Sequence, residues 1–334
     1  MSDGALVARM ADGVAGLPED QWDALTGGGN PFMTHAFLSA LEDSGSVGEG
    51  TGWLPTPLML EDAGRLVAAL PAYLKGHSLG EYVFDHAWAD AWHRAGGRYY
   101  PKLQIAAPFT PASGPRILSR EPALAPHLLR FAEKFAEANA LSSIHATFVE
   151  PAQVPLFEAS GWLIRHDIQF HWQNRGYGSF DDFLGDLASR KRRAIRKERA
   201  AAQEGVVIRR LSGADIRPEH WDAFWVFYQD TGSRKWGSPY LTREAFDLLG
   251  ERMGSRIVLV MAFEGERPVA GALNFAGDLF STWAGPVSVA FGGEYRKEEA
   301  VGTSDPLSQQ VQANGSIGAF QIGNQLPING SYDL

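Results

Sequence analysis

The segment Asp85-His86-Ala87-Trp88-Ala89-Asp90-Ala91-Trp92-His93 puts two imidazoles and two carboxylates within nine positions, and Tyr99, Tyr100 and Lys102 follow it. On a helix, His86, Asp90 and His93 share one face at i, i+4 and i+7, a donor set that suits a divalent ion with an open position. The spacing is not His-Glu-x-x-His, and metal ligands usually come from more than one element, so the expectation is a polar, substrate-facing cluster with no metal. Asp85, His86, Tyr100 and Lys102 then line one cleft. Asp85, His86 and Tyr100 are its catalytic candidates, because a His or Tyr of suitable pKa can take a proton from an attacking amine. Lys102 is a substrate-binding candidate.

Gly76-His77-Ser78-Leu79-Gly80 fits the pattern G-x-S-x-G. A nucleophile elbow needs a buried strand before it and a helix directly after it, since the sharp turn between them exposes the hydroxyl. Here Glu81-Tyr82-Val83-Phe84 follows and favours a strand, while Pro71 and Lys75 sit where a buried central strand should run. A polar loop between strands is expected, with a serine hydrolase acting through Ser78 as the lesser alternative.

Residues 190–199 hold seven of the chain's 30 Lys and Arg residues. At about 100° per residue, Arg190, Arg192, Arg193, Arg196, Lys197 and Arg199 cover one half of a helix, with Ala194, Ile195 and Ala202 on the other. Ser189 is the expected N-cap and Gly205 the expected stop. One half should pack and the other form a cationic stripe. Arg190, Arg192, Arg193, Arg196 and Lys197 are therefore phosphate-binding candidates, each charge-assisted hydrogen bond contributing about 1.5–3 kcal/mol. The alternative is a solvated face partly neutralised by Asp181, Asp182 and Asp186. A last cluster, Asp230-Thr231-Gly232-Ser233-Arg234-Lys235-Trp236-Gly237, suits either a binding loop through Arg234, Lys235 and Trp236 or a plain interhelix connection.

The elements that must position these groups recur. A strand over 5–9, a helix opened by Pro18-Glu19 with Trp22 inward, a helix from Thr34 and a hairpin over 57–74 return about 200 residues later. The second set is a strand over 206–211, a helix opened by Pro218-Glu219 with Trp221 inward, a helix from Thr242 and a hairpin over 257–275. The first copy continues with strands over 82–85 and 100–107, helices over 87–95 and 122–139, a strand over 143–149, a short helix and a strand over 162–172. Its counterpart lacks about 40 residues, and residues 301–334 form a divergent tail with no Lys, Arg or Glu. The expected organisation is a first domain over 1–175, an incomplete second over 176–300 and the polar tail.

Composition narrows the function classes. There is no Cys, which removes disulfides, thiolate zinc sites and Cys nucleophiles. The net charge of -9 opposes DNA binding, so a phosphate site has to be local. With no basic n-region and no apolar run of membrane-spanning length, a soluble cytoplasmic chain is expected.

Several separated stretches resemble the bacterial FemAB-like family of predicted N-acyltransferases in the GNAT superfamily, named for peptidoglycan biosynthesis or recognition. They are 80–91, Gly97-Arg98-Tyr99-Tyr100-Pro101-Lys102-Leu103-Gln104, Pro108-Phe109-Thr110-Pro111, Gly114-Pro115-Arg116, the basic run and 230–237. The resemblance covers about residues 30–285. It implies an α/β fold of tandem GNAT-like domains, in agreement with the internal repeat, and transfer of an acyl or aminoacyl group to an amine. The implied co-substrates are acyl-CoA or aminoacyl-tRNA, with nothing bound tightly. The implied partners are a small-molecule or nucleotide-linked amine acceptor and the acceptor end of tRNA. The family's closing stretch beyond about Phe280 is not matched, so the second copy is expected to be incomplete and catalysis impaired. A non-catalytic glycan- or peptide-binding protein of the same fold is the alternative.

Overall fold

The computed structural model of the chain describes residues 6–83, 85–234, 239–282 and 285–296. Strand β1 (Val7–Met10) leads into helix α1 (Glu19–Thr26), whose first turn carries Glu19 and Asp20 and which ends at Gly27 with φ 68°. Carboxylates there oppose the positive end of the helix dipole, and glycine accepts the left-handed stop without a Cβ clash. Helix α2 (His35–Asp43) begins at Thr34, whose hydroxyl accepts from the Phe37 N–H. Strand β2 (Trp53–Pro55) precedes the hairpin of β3 (Leu58–Asp62) and β4 (Arg65–Leu70), and β5 (Ala72–Lys75) follows directly. Next come α3 (His86–Arg94), β6 (Lys102–Ile105), β7 (Leu118–Ser119), α4 (Ala125–Ala138), β8 (Ile144–Ala146), α5 (Val154–Ala159), α6 (Phe180–Gly185) and α7 (Ser189–Ala202).

The second unit runs β9 (Val207–Leu211), α8 (Pro218–Arg234), α9 (Arg243–Met253), β10 (Ile257–Glu264), β11 (Arg267–Thr282) and β12 (Gly285–Arg296). Thr242 caps α9 by accepting from the Ala245 N–H, as Thr34 caps α2. The sheets repeat as well. One has the order β1-β3-β4-β7, the other β9-β10-β11-β12, and in each the opening strand pairs antiparallel with the first strand of the hairpin. A third sheet, β2-β5-β6-β8, carries the parallel pair β6–β8.

Trp22 and Trp221, near the start of equivalent helices, are both buried, and they join one core cluster with Phe37, Leu38, Phe246 and Leu249. Helices α2 and α9 cross-link the units. Thr242 Oγ1 donates to the Ser44 carbonyl at 3.0 Å, and Arg252 reaches Asp43 at 2.6 Å and Ser39 at 2.8 Å. A second cluster, including Leu60, Leu70, Leu103, Ile105 and Leu129, lies between the sheets and α4.

Several expectations are corrected. Residues 82, 83 and 85 form loop rather than strand, with Tyr82 at φ 53°, because α3 starts at His86 and uses Asp85 as its N-cap position. The segment 162–172 pairs with no strand among the described residues. Helix α7 forms, but Ala188 rather than Ser189 is its N-cap, and none of its residues is fully buried: Ala194 and Ile195 are half-buried, while Arg190, Arg193, Arg196, Lys197 and Arg199 are exposed. Helix α8 extends to Arg234, so 230–234 is helix rather than connection. The tail over 301–334 lies outside the described residues.

Candidate functional site

Lys75 ends β5 and Lys102 begins β6, and the two are register partners across the antiparallel pair. Both ammonium groups are fully buried at the mouth of the loop that connects β5 to α3. Burying a charge is costly unless it is paired, and the loop supplies the pairing. Lys102 Nζ donates to Glu81 Oε2 and Asp85 Oδ2, each at 2.8 Å, and to Ser78 Oγ at 3.2 Å. Tyr99 donates to Asp85 Oδ2 at 2.8 Å, and the hydroxyls of Ser78 and Tyr100 share a hydrogen bond of 2.6 Å. Lys75 Nζ is 3.9 Å from Glu81 Oε1, donates to the Leu79 carbonyl at 3.3 Å and stands 3.6 Å over the Trp53 ring. Glu81 Oε1 and Asp85 Oδ1 are buried with no hydrogen-bond partner.

The protonation states follow from this geometry. Burial lowers Lys75 to about 7, against the opposing pull of Glu81. Burial likewise raises Glu81, and its Lys102 contacts only partly offset this. Asp85 goes the other way: burial pushes it up, but hydrogen bonds from Lys102 and Ser78 prevail and hold it below the usual carboxylate range. Burial and the nearby Lys102 lower His145 to about 4, so its ring is neutral at pH 7 and its Nδ1 lies 3.4 Å from Lys102 Nζ. The result is a dry constellation of two lysines, two carboxylates and three hydroxyls, open to the surface through the half-buried Tyr99 and Tyr100.

Aromatic packing fixes the loop. Gly80 has φ 78°, and a Cβ there would meet the Phe109 ring at 2.7 Å, so both its conformation and its contact require glycine. Tyr82 and Phe109 hold φ of 53° and 57°, a left-handed conformation costing about 1–3 kcal/mol each for non-glycine residues. Tyr240 from the second unit stacks on Phe109 at 5.1 Å and meets Tyr82 edge-on at 6.4 Å. Its N–H and that of Leu241 donate to the Tyr228 hydroxyl. The seam between the units thus runs along the loop that carries Glu81 and Asp85. On the other side of Lys75, a pocket of about 240 Å³ is lined by Gly48, Gly50, Gly52, Gly76 and Pro101.

Of the cleft predicted from sequence, Asp85, Tyr100 and Lys102 come together. His86 does not: it lies exposed on the first turn of α3 with no hydrogen bond into the cluster. Asp90 and His93 are exposed too, and no group able to hold a metal occurs among the described residues. Ser78 belongs to the cluster, yet no helix follows it directly and its lysine neighbour is committed to two carboxylates, so it lacks a base. Arg234 ends α8, and Lys235 and Trp236 lie outside the described residues. On α7, Arg196 pairs with Asp181 at 2.8 Å, Arg192 and Arg193 donate to backbone carbonyls, and Arg199 lies over Phe180. Arg190, Lys191 and Lys197 face solvent with no ion pair among the described residues.

Glu81, Lys75 and His145 were not singled out from sequence. A lysine at the end of each of two strands that read as buried was the available signal, because such a charge has to find a buried counter-charge.

No curated protein gives a significant match. Among solved structures, the crystal structure of FemX is similar at 13% identity and a TM-score of 0.39, over 81% of this chain and 58% of that chain. The chain therefore spans less than two thirds of the length of FemX. The FemAB-like profile, described as peptidoglycan biosynthesis/recognition, matches residues 13–283, so the chain belongs to the FemAB-like family.

Proposed function

We propose that the chain is an N-acyltransferase that moves an acyl or aminoacyl group onto an amine of a peptidoglycan precursor, with the Lys102 cluster as its acceptor site. The observation that carries this reading is the buried Lys102 ammonium clamped between Glu81 and Asp85, with the Tyr100–Ser78 hydroxyl pair leading from it to the surface. Such a rigid, water-poor constellation suits orientation of an amine against an activated carbonyl, where positioning removes much of the barrier. In the reaction, the amine nitrogen bonds to the carbonyl carbon while the C–S or C–O bond to the carrier breaks. The nitrogen's proton is accepted at Tyr100 Oη as Tyr100 gives its own to the departing thiolate or alkoxide, so one proton leaves the amine and one reaches the leaving group. Lys102 holds the two carboxylates in place.

Membership of the FemAB-like family supports the substrate class. The matching strand order of the two units supports tandem GNAT-like domains as the scaffold. The donor is acyl-CoA or aminoacyl-tRNA, both of which carry phosphate, and the unpaired Arg190, Lys191 and Lys197 on α7 favour that end of the donor. The test is incubation of the protein with a UDP-linked muropeptide and each donor, followed by mass spectrometry of the muropeptide. An amide product formed by the wild type and at least tenfold more slowly by Tyr100→Phe is expected. Absence of product with every donor would reject the enzymatic reading and leave recognition as the function.

A further inference from the structure

Over residues 162–172, Trp162, Ile164, Ile168, Phe170 and Trp172 share one parity with His166, and Arg165, Asp167, Gln169 and His171 share the other with Leu163. That period belongs to a strand with one buried face. The structure covers only half of the face. Trp162 and Ile164 pack against the cluster beneath α4, whereas Ile168, Phe170 and Trp172 are 78%, 97% and 67% exposed. Among the described residues, 163–173 make no backbone-to-backbone hydrogen bond. Apart from the Ile168 N–H, which donates to Asp167 Oδ1 at 2.8 Å, these backbone groups have no partner among the described residues, and such a run beside apolar side chains is a template for another strand.

We propose that this segment is a dimer interface, in which it pairs antiparallel with the same segment of a second copy of the chain. With the two-fold axis at His166, Arg165 of one copy faces Asp167 of the other, Ile164 faces Ile168, and Trp162 faces Phe170, and symmetry repeats each pair. The charges are then complementary on the polar face, where Leu163 also faces Gln169, and the apolar face matches apolar with apolar on both sides of the axis, at which His166 faces its own copy. The register also joins covered to uncovered residues. The packed end of one copy, Trp162 and Ile164, receives the bare end of the other, Ile168 and Phe170, so both copies extend their α4-side cores with the partner's side chains. The second copy is the favoured occupant because the segment is complementary to itself in both charge and burial.

Sedimentation of the full chain over about 1–100 µM tests this, because a dimer obeys mass action. A concentration-dependent dimer is expected for the wild type. Phe170→Asp should be monomeric with unchanged circular dichroism, since the side chain is bare in a single copy. Arg165→Asp should weaken the dimer about tenfold by creating like-charge pairs, and Arg165→Asp/Asp167→Arg should restore it. A wild type that stays monomeric throughout, or a dimer indifferent to both Phe170→Asp and the charge swap, would overturn the proposal. So would a monomer that begins to dimerise when 297–334 are deleted, because the chain's own C-terminal residues would then be the occupant.

Discussion

Replacing Lys102 by Met removes the ammonium that neutralises Glu81 and Asp85 while keeping a side chain of similar length. Two ion pairs of 2.8 Å are lost together, and the nearest remaining amino group, that of Lys75, is 3.9 Å from Glu81 and titrates near 7. Breaking a buried pair by deleting one partner costs about 3–5 kcal/mol, chiefly because the uncompensated charge stays buried. Urea denaturation at pH 7.5 should therefore show a loss of about that size in Lys102→Met. The triple variant Lys102→Met/Glu81→Gln/Asp85→Asn should recover most of it, since no charge is left stranded. The pH dependence has a definite sign. Without Lys102, the folded-state pKa values of both carboxylates rise above their unfolded values, so the folded state binds protons more tightly and the deficit of Lys102→Met shrinks as the pH falls toward 5. A loss below about 1 kcal/mol, the range of an exposed pair, would refute the buried network. A triple variant as unstable as the single would refute the charge explanation.

Lys75 titrates lower in the folded state, near 7, than in the unfolded chain, so stability should rise with pH between about 7 and 10.5 by at most about 1.4 kcal/mol per unit. Lys75→Met should abolish that rise in urea titrations across this window. Gly80→Ala should cost about 1–3 kcal/mol in thermal or urea unfolding, because alanine would have to adopt a left-handed φ against the Phe109 ring. Ser78 should resist a fluorophosphonate probe, since Lys102 is not free to take its proton; labelling that disappears in Ser78→Ala would restore the hydrolase alternative. Arg192→Ala/Arg196→Ala should weaken binding of a phosphate-bearing donor, measured by titration at two salt concentrations, with Arg→Lys intermediate. Asp181→Ala should strengthen it by freeing Arg196 from its ion pair.

The opening helices of each unit were legible because their signals are local. The Pro-Glu helix starts, the buried tryptophans and the threonine caps each depend on a few adjacent residues, and all recur in the structure. The polar cluster was only half legible. Asp85, Tyr100 and Lys102 lie close together in sequence, but Lys75 joins them through strand register and His145 through the parallel β6–β8 pairing, relations that periodicity does not encode. His86 was misplaced because its helix turns it outward one residue after Asp85 turns in. The strand expected over 82–85 failed because Tyr82 takes a positive φ and packs edge-on against Tyr240, a tertiary contact that overrides β propensity. In α7, density of charge was readable, whereas depth of packing was not: Ala194 and Ile195 are only half-buried and no residue of the helix is fully buried.

The claim that the Lys102 cluster receives the acceptor is tested most directly by titrating a UDP-linked muropeptide into the wild type and Tyr100→Phe by calorimetry. Tyr100 is half-buried and its hydroxyl makes a single contact of 2.6 Å with Ser78, so its loss should leave the melting temperature within a few degrees. Acceptor affinity should fall about 5- to 10-fold, the equivalent of about one hydrogen bond. Equal affinities in two equally stable proteins would place the acceptor elsewhere and contradict the assignment.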